Sequence, residues 1–242
     1  MSEVPAPVEL VAPAKLTVSL RVTGVRADGY HLIDAEMVSL DLVDELSVDP
    51  TGDELLVDTD GDVQAGRPDD LVQRALESVG RTASVVLRKR IPAGAGLGGG
   101  SSDAAAVLRW AGVTSLEHAV QLGADVPFCL RGGRARVGGI GEVVEPLPFE
   151  PLTYTLWTPP VHCSTPVVYR MWDELGGPVG EAGNDLEPAA LAAFPELAAY
   201  RDELAGITGV RPRLAGSGST WFVEGAFPGG DRRVVRTQPS LG

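Results

Sequence analysis

Residues 91–107 read IPAGAGLGGGSSDAAAV, and this stretch decides the fold. Gly94, Gly96, Gly98, Gly99 and Gly100 leave a run of backbone nearly bare of side chains. Two hydroxyls follow at Ser101 and Ser102, and Asp103 then opens an alanine-rich segment with strong helical preference. Bare N–H groups can close around phosphate oxygens, and the positive end of a helix dipole faces the same place. The stretch lacks the Gly-Lys-Ser/Thr ending of a P-loop and does not fit Gly-x-Gly-x-x-Gly dinucleotide spacing cleanly. A flexible turn before a core helix is the plainer alternative. Three adjacent glycines, two serines and a helix in series favour an oligophosphate.

Working outward, residues 83–90 read as a strand that feeds the loop, and the helix over 103–110 ends at Gly112. A short helix follows over 115–122, with Ser115 as its N-cap. Next comes Gly123-Ala124-Asp125-Val126-Pro127-Phe128, one aspartate among apolar residues. A buried lone carboxylate is costly unless paired or functional, and a turn or capping aspartate would also account for it.

On the N-terminal side, residues 1–11 read as a proline-spaced lead-in. Leu16, Val18, Leu20 and Val22 then alternate with polar residues as a half-buried strand, with Lys15 at its start. Position alone makes such a lysine a solvated edge residue. Asp28-Gly29 is a hairpin turn, and Val38, Leu40 and Leu42 begin the return strand. Tyr30 and His31, at the turn exit, either cap the hairpin or line a pocket. Residues 49–68 form an acidic loop with a short strand at 54–57, and Asp69-Asp70 start a helix over 71–79. Downstream, 132–144 is a glycine-rich hairpin. Pro146, Pro148 and Pro151 mark a boundary. A strand follows over 153–157, and Thr165-Pro166 starts a helix that ends at 175. Helical segments over 188–204 break at Pro195. A second glycine-rich loop, Gly216-Ser217-Gly218-Ser219, precedes a strand over 220–223. From Gly225 the tail reads as loosely held.

The net charge of −13 argues against nucleic acid or an anionic membrane as partner. An acidic phosphate binder must build its positive site from N–H groups and a few cations, which draws attention to the only two lysines, Lys15 and Lys89. Two cysteines make no disulfide framework and no zinc site. With no apolar run of spanning length, the chain reads as soluble and cytoplasmic.

Three segments recur in order: a Pro-Ala-Lys strand start at 13–15, Gly-Leu-Gly-Gly-Gly-Ser-Ser at 96–102, and Gly-Ser-Gly-Ser at 216–219. Together they resemble the GHMP small-molecule kinases. Asp28-Gly29-Tyr30-His31 and the segment from Gly123 to Phe128 select the branch acting on a cytidine diphosphate ester of methylerythritol; Asn184-Asp185-Leu186-Glu187-Pro188 adds to the match. The resemblance implies a two-domain α+β fold, residues 1–148 binding ATP and 149–242 completing an interdomain cleft. ATP's phosphates would lie along Pro92, Ala93, Gly94, Ala95, Gly96, Leu97, Gly98, Gly99, Gly100, Ser101 and Ser102. Asp125 matches the family's catalytic base and Lys15 its partner, while Tyr30, His31 and Tyr169 match residues that hold the cytosine. Mg²⁺ is implied with ATP, and only Ser102 and Asp103 offer themselves as ligands. Three departures stand out: Thr17 where the family has asparagine, Asp70 where asparagine is usual, and a shortened C-terminus. A kinase of another alcohol, such as mevalonate or homoserine, and a silent ATP-binding regulator are the competing readings. Tyr30, His31 and Tyr169 argue against the first, and the Lys15/Asp125 pair against the second.

Overall fold

The computed structural model describes residues 6–67 and 69–241. Its spine is β2 (His31–Asp49), which pairs antiparallel with β1 (Val8–Val25) across the turn at Gly29, where φ is +87°. The other edge of β2 is shared in sequence by β6 (Arg134–Gly139), β11 (Arg233–Gln238) and β5 (Ser84–Lys89). Beyond β5 lie β3 (Leu55–Thr59) and β4 (Asp62–Ala65). Beyond β11 lie β8 (Thr153–Trp157), β10 (Trp221–Glu224) and β9 (Arg213–Leu214), while β7 (Val143–Pro146) extends β6.

Helices cover this sheet. α1 (Leu71–Ser78) is capped by Asp70, whose side chain accepts from Val72 N at 2.9 Å. α2 (Gly99–Trp110) buries Ala104, Ala105 and Ala106, small enough to let the helix lie close to β1, α1 and α4 (Val126–Arg131). α3 (Leu116–Val120) starts at the Ser115 cap. In the C-terminal half run α5 (Thr165–Glu174), α6 (Glu187–Ala193) and α7 (Leu197–Thr208). The buried residues form two clusters. One holds Leu20 with Phe128, Val107 and Trp221, and the other holds Leu16 with Leu97, Tyr154 and Phe222. The β1/β2 register shifts between Thr17 and Ser19, and a one-residue slip moves later side chains to the opposite face.

Three expectations change. Residues 8–11 belong to β1 and are not lead-in. α2 begins at Gly99, four residues before Asp103, so Gly99, Gly100, Ser101 and Ser102 are helical rather than loop. The tail is not loosely held: β11 bonds to β2 on one side and β8 on the other, so the sheet runs across residues 148–149. Among the described residues, no helix is long and apolar enough to cross a membrane.

Candidate active site

A second register shift, between Pro13 and Lys15, takes Lys15 out of the regular ladder. Its N–H donates to Leu97 O at 3.0 Å, tying β1 to the glycine-rich loop. The Lys15 side chain is 6% exposed, so it is no solvated edge residue. Its Nζ pairs with Asp125 Oδ2 at 3.2 Å and donates to Thr17 Oγ1 at 3.1 Å. Asp125 stands at the N-cap of α4 but makes no side-chain cap bond, so capping does not account for this carboxylate. Behind it, burial pushes the Cys129 thiol up to about 12, which keeps it out of thiolate chemistry.

These groups face a cavity of about 620 Å³, the size of a small-molecule site. Pro92, Ala93, Gly94, Ala95, Gly96, Gly98, Gly99, Gly100 and Ser101 all line it. Leu97 does not: its side chain is core, and only its carbonyl serves the site. Ser102 does not either. It is fully buried, and its hydroxyl donates to Pro13 O at 2.5 Å, fastening α2 to β1. Gly98, with φ of +69°, precedes α2, and a Cβ there would come within 2.7 Å of Lys15 Cγ. The loop of Gly216 and Ser217 closes the far wall. Asn184 holds it by donating from Nδ2 to Leu214 O and Gly216 O at 2.9 and 2.7 Å.

The second lysine lies under the same loop. Lys89 Nζ bridges Asp44 Oδ2 and Asp103 Oδ2, while Asp44 Oδ1 accepts from the N–H groups of Arg90 and Ile91, where β5 enters the loop. One cation therefore joins the loop's entry to its exit on α2. Sequence reading flagged the lysine but had no means of finding its partners, 45 and 14 residues away. Burial would lower the Lys89 ammonium, but Asp103 and Asp44 hold it above its ordinary value. Burial pushes the Asp103 carboxyl up to about 8 against the pull of Lys89. Asp103→Asn, which needs no proton to stay neutral, is accordingly expected to gain stability relative to the wild type as pH climbs toward 8. Lys89→Met, which leaves buried Asp44 unpaired, should cost about 3–5 kcal/mol. The sign in pH follows from the raised value. This carboxyl favours folding most below its ordinary 3.8 and loses that contribution as pH climbs toward 8. Tm measured against pH for both variants checks this; equal losses would refute it.

His31 and Tyr169 line the cavity and lie ring to ring, with centroids 4.6 Å apart at 37°. Burial, and then the Asp125 carboxylate, push the Tyr169 phenol up. Tyr30 is placed differently: it is 59% exposed, beneath the Arg26 guanidinium, and outside the cavity lining. No group of three or more acidic, histidine or cysteine side chains suited to a metal occurs among the described residues. Ser102 is committed to Pro13, while Asp103 gives Oδ2 to Lys89 and keeps Oδ1 buried at the cavity lining with no partner among the described residues, so of the two only Asp103 retains an oxygen for Mg²⁺.

Residues 70–133 match the family described as GHMP kinases N terminal domain. The chain is 39% identical over 231 residues to the 4-diphosphocytidyl-2-C-methyl-D-erythritol kinase of Paracoccus denitrificans, covering 87% of this chain and 84% of that one. It is 38% identical to the enzyme of the same name from Dinoroseobacter shibae, covering 89% and 85%. A solved crystal structure of 4-(cytidine 5'-diphospho)-2C-methyl-D-erythritol kinase superposes with a TM-score of 0.76 at 33% identity, over 95% of this chain and 99% of that one. Likeness of this extent in sequence and in fold places the chain in the 4-diphosphocytidyl-2-C-methyl-D-erythritol kinase family of the GHMP kinases.

Proposed function

We propose that this chain transfers the γ-phosphoryl group of ATP to the 2-hydroxyl of 4-diphosphocytidyl-2-C-methyl-D-erythritol, a step of the non-mevalonate isoprenoid pathway. The observation that carries the reading is the ion pair of Lys15 and Asp125 in a cavity walled by the glycine-rich loop. Phosphoryl transfer asks mainly for positioning and charge neutralisation, with a base to take the hydroxyl proton. Asp125 Oδ2 takes that proton as the new P–O bond forms and the bond to the β-phosphate oxygen breaks. Lys15, fixed by Thr17 and Asp125, steadies the migrating negative charge. Where an amide would stand in the wider family, the Thr17 hydroxyl holds Lys15 instead. Backbone N–H groups of residues 93–96 and 98–101, at the start of α2, receive the phosphates. Mg²⁺ would enter with ATP and would supply charge neutralisation at the phosphates, with Asp103 the carboxylate beside it. Residues 1–148 supply the loop, the base and its lysine. Residues 149–242 supply Tyr169 and the loop of Gly216 across the cleft. His31 and Tyr169 take the cytosine, with Tyr30 on the neighbouring turn.

The test is ADP release by the purified protein with ATP and the cytidine diphosphate ester, beside mevalonate and homoserine. Release dependent on the ester alone is the expected result. Binding of ATP with release on none of the three, or on another alcohol, would overturn the reading.

A further inference from the structure

One face of α5 is built around a single imidazole. Tyr169, Trp172 and Asp173 stand at i, i+3 and i+4, the spacing that puts side chains on one helix face. Tyr169 lies against the His31 ring, and Trp172 meets it edge-on at 5.6 Å and 85°. Asp173 Oδ1 stands 2.8 Å from His31 Nε2. Trp172 is itself held, since its Nε1 donates to Pro178 O at 3.0 Å, and a side chain at Gly177 would strike its ring. The His31 side chain is only 10% exposed, and its ring lines the cavity. Among the described residues, Nδ1 has no hydrogen-bond partner.

A carboxylate accepts and cannot donate, so Nε2 must carry a proton toward Asp173. In the neutral ring the other nitrogen is then an acceptor. We propose that Asp173 is a specificity-determining positioning residue, which fixes the His31 imidazole with Nδ1 as an acceptor toward the cavity, so that the subsite takes a pyrimidine bearing an exocyclic amine and rejects one bearing a carbonyl there. Cytosine offers N–H donors at that position, and uracil sets an oxygen lone pair against a nitrogen lone pair. A buried acceptor left facing an acceptor discriminates more strongly than a missing contact does. This rests on the cytidine reading under Proposed function and adds to it a residue on a helix that contributes no group to the phosphoryl transfer itself. The juxtaposition is not fortuitous packing: stacking, edge contact and hydrogen bond converge from three residues of one helix on one ring.

The experiment measures binding of CDP and UDP by calorimetry with a non-hydrolysable ATP analogue present, together with steady-state kinetics on the cytidine and uridine esters. The wild type should prefer CDP by about a hundredfold. Asp173→Ala should shrink that preference below about fivefold and raise KM for the cytidine ester with kcat held, because Lys15 and Asp125 are untouched. Asp173→Asn, whose Oδ1 can accept the same Nε2 proton, should restore the preference. Unchanged preference in Asp173→Ala, or failure of Asp173→Asn to rescue, would overturn the proposal. A wild type that prefers CDP yet turns over neither ester would instead count against the proposed reaction and leave this subsite standing.

Discussion

Asp125→Asn is expected to lower kcat for phosphoryl transfer by about 10²–10⁴-fold, with the KM for ATP little changed. The amide is isosteric and cannot take the hydroxyl proton, so the loss falls on the chemical step. Asp125 caps nothing and its side chain is one-third exposed, so the structural cost is confined to the buried Lys15 ammonium, which keeps an amide oxygen in place of its carboxylate. Lys15→Met is expected to fall in the same range, and the double variant should be scarcely slower than either single one, since the two act as one unit. The Lys15 variant should also lose stability, its side chain being buried between Asp125 and Thr17. Steady-state rates on the four proteins test this. An Asp125→Asn enzyme within tenfold of wild type would remove the base from the mechanism, and additive losses would separate the pair.

The glycine-rich stretch was legible because its chemistry is local: what makes Gly98 and Ser101 useful lies within a few residues of chain. Asp125 and Lys15 were legible only together with the resemblance, since each by itself fitted a bland role. What places them in contact is a long-range register, the shift in β1 at Pro13 and Lys15, and no window of sequence encodes it. The same limit hid the Asp44–Lys89–Asp103 cluster, whose members come from β2, β5 and α2. The helix start at Gly99 was missed because glycine is a poor helix former, and here tertiary packing overrides propensity. β11 was missed for another reason. A short, arginine-rich segment after many prolines and glycines reads as a tail, and its strand conformation comes from the β2 and β8 edges waiting for it. Ser102 shows the converse. It fits the phosphate pattern by spacing, yet it falls on the inner face of α2, where its hydroxyl ties β1 in place.

Gly96→Ala should damage both the fold and the site. Gly96 has φ of +75°, a conformation that costs an L-residue about 1–2 kcal/mol. Its added Cβ would lie 2.5 Å from Ala215 O and 2.7 Å from Gly218 O. Both obstacles are backbone carbonyls, so no side chain can swing aside. They belong to the second glycine-rich loop, which Asn184 and the bond from Thr220 N to Ala95 O at 3.2 Å hold against the first. Relief therefore requires the two loops to part, at a further cost of about 1–3 kcal/mol for overpacking. Together these predict a Tm lower by roughly 4–20 °C and weaker ATP binding, because the parted loops are opposite walls of one cavity. Gly100→Ala is the control. Gly100 is helical, and its new Cβ would meet only Leu71 Cδ1 at 3.5 Å, so its Tm should hold or rise slightly. Thermal melts of both variants, with and without ATP, decide the matter. A Gly96→Ala protein that melts like wild type would show that the loops are not locked together, and the cavity they wall would then owe its shape to something else.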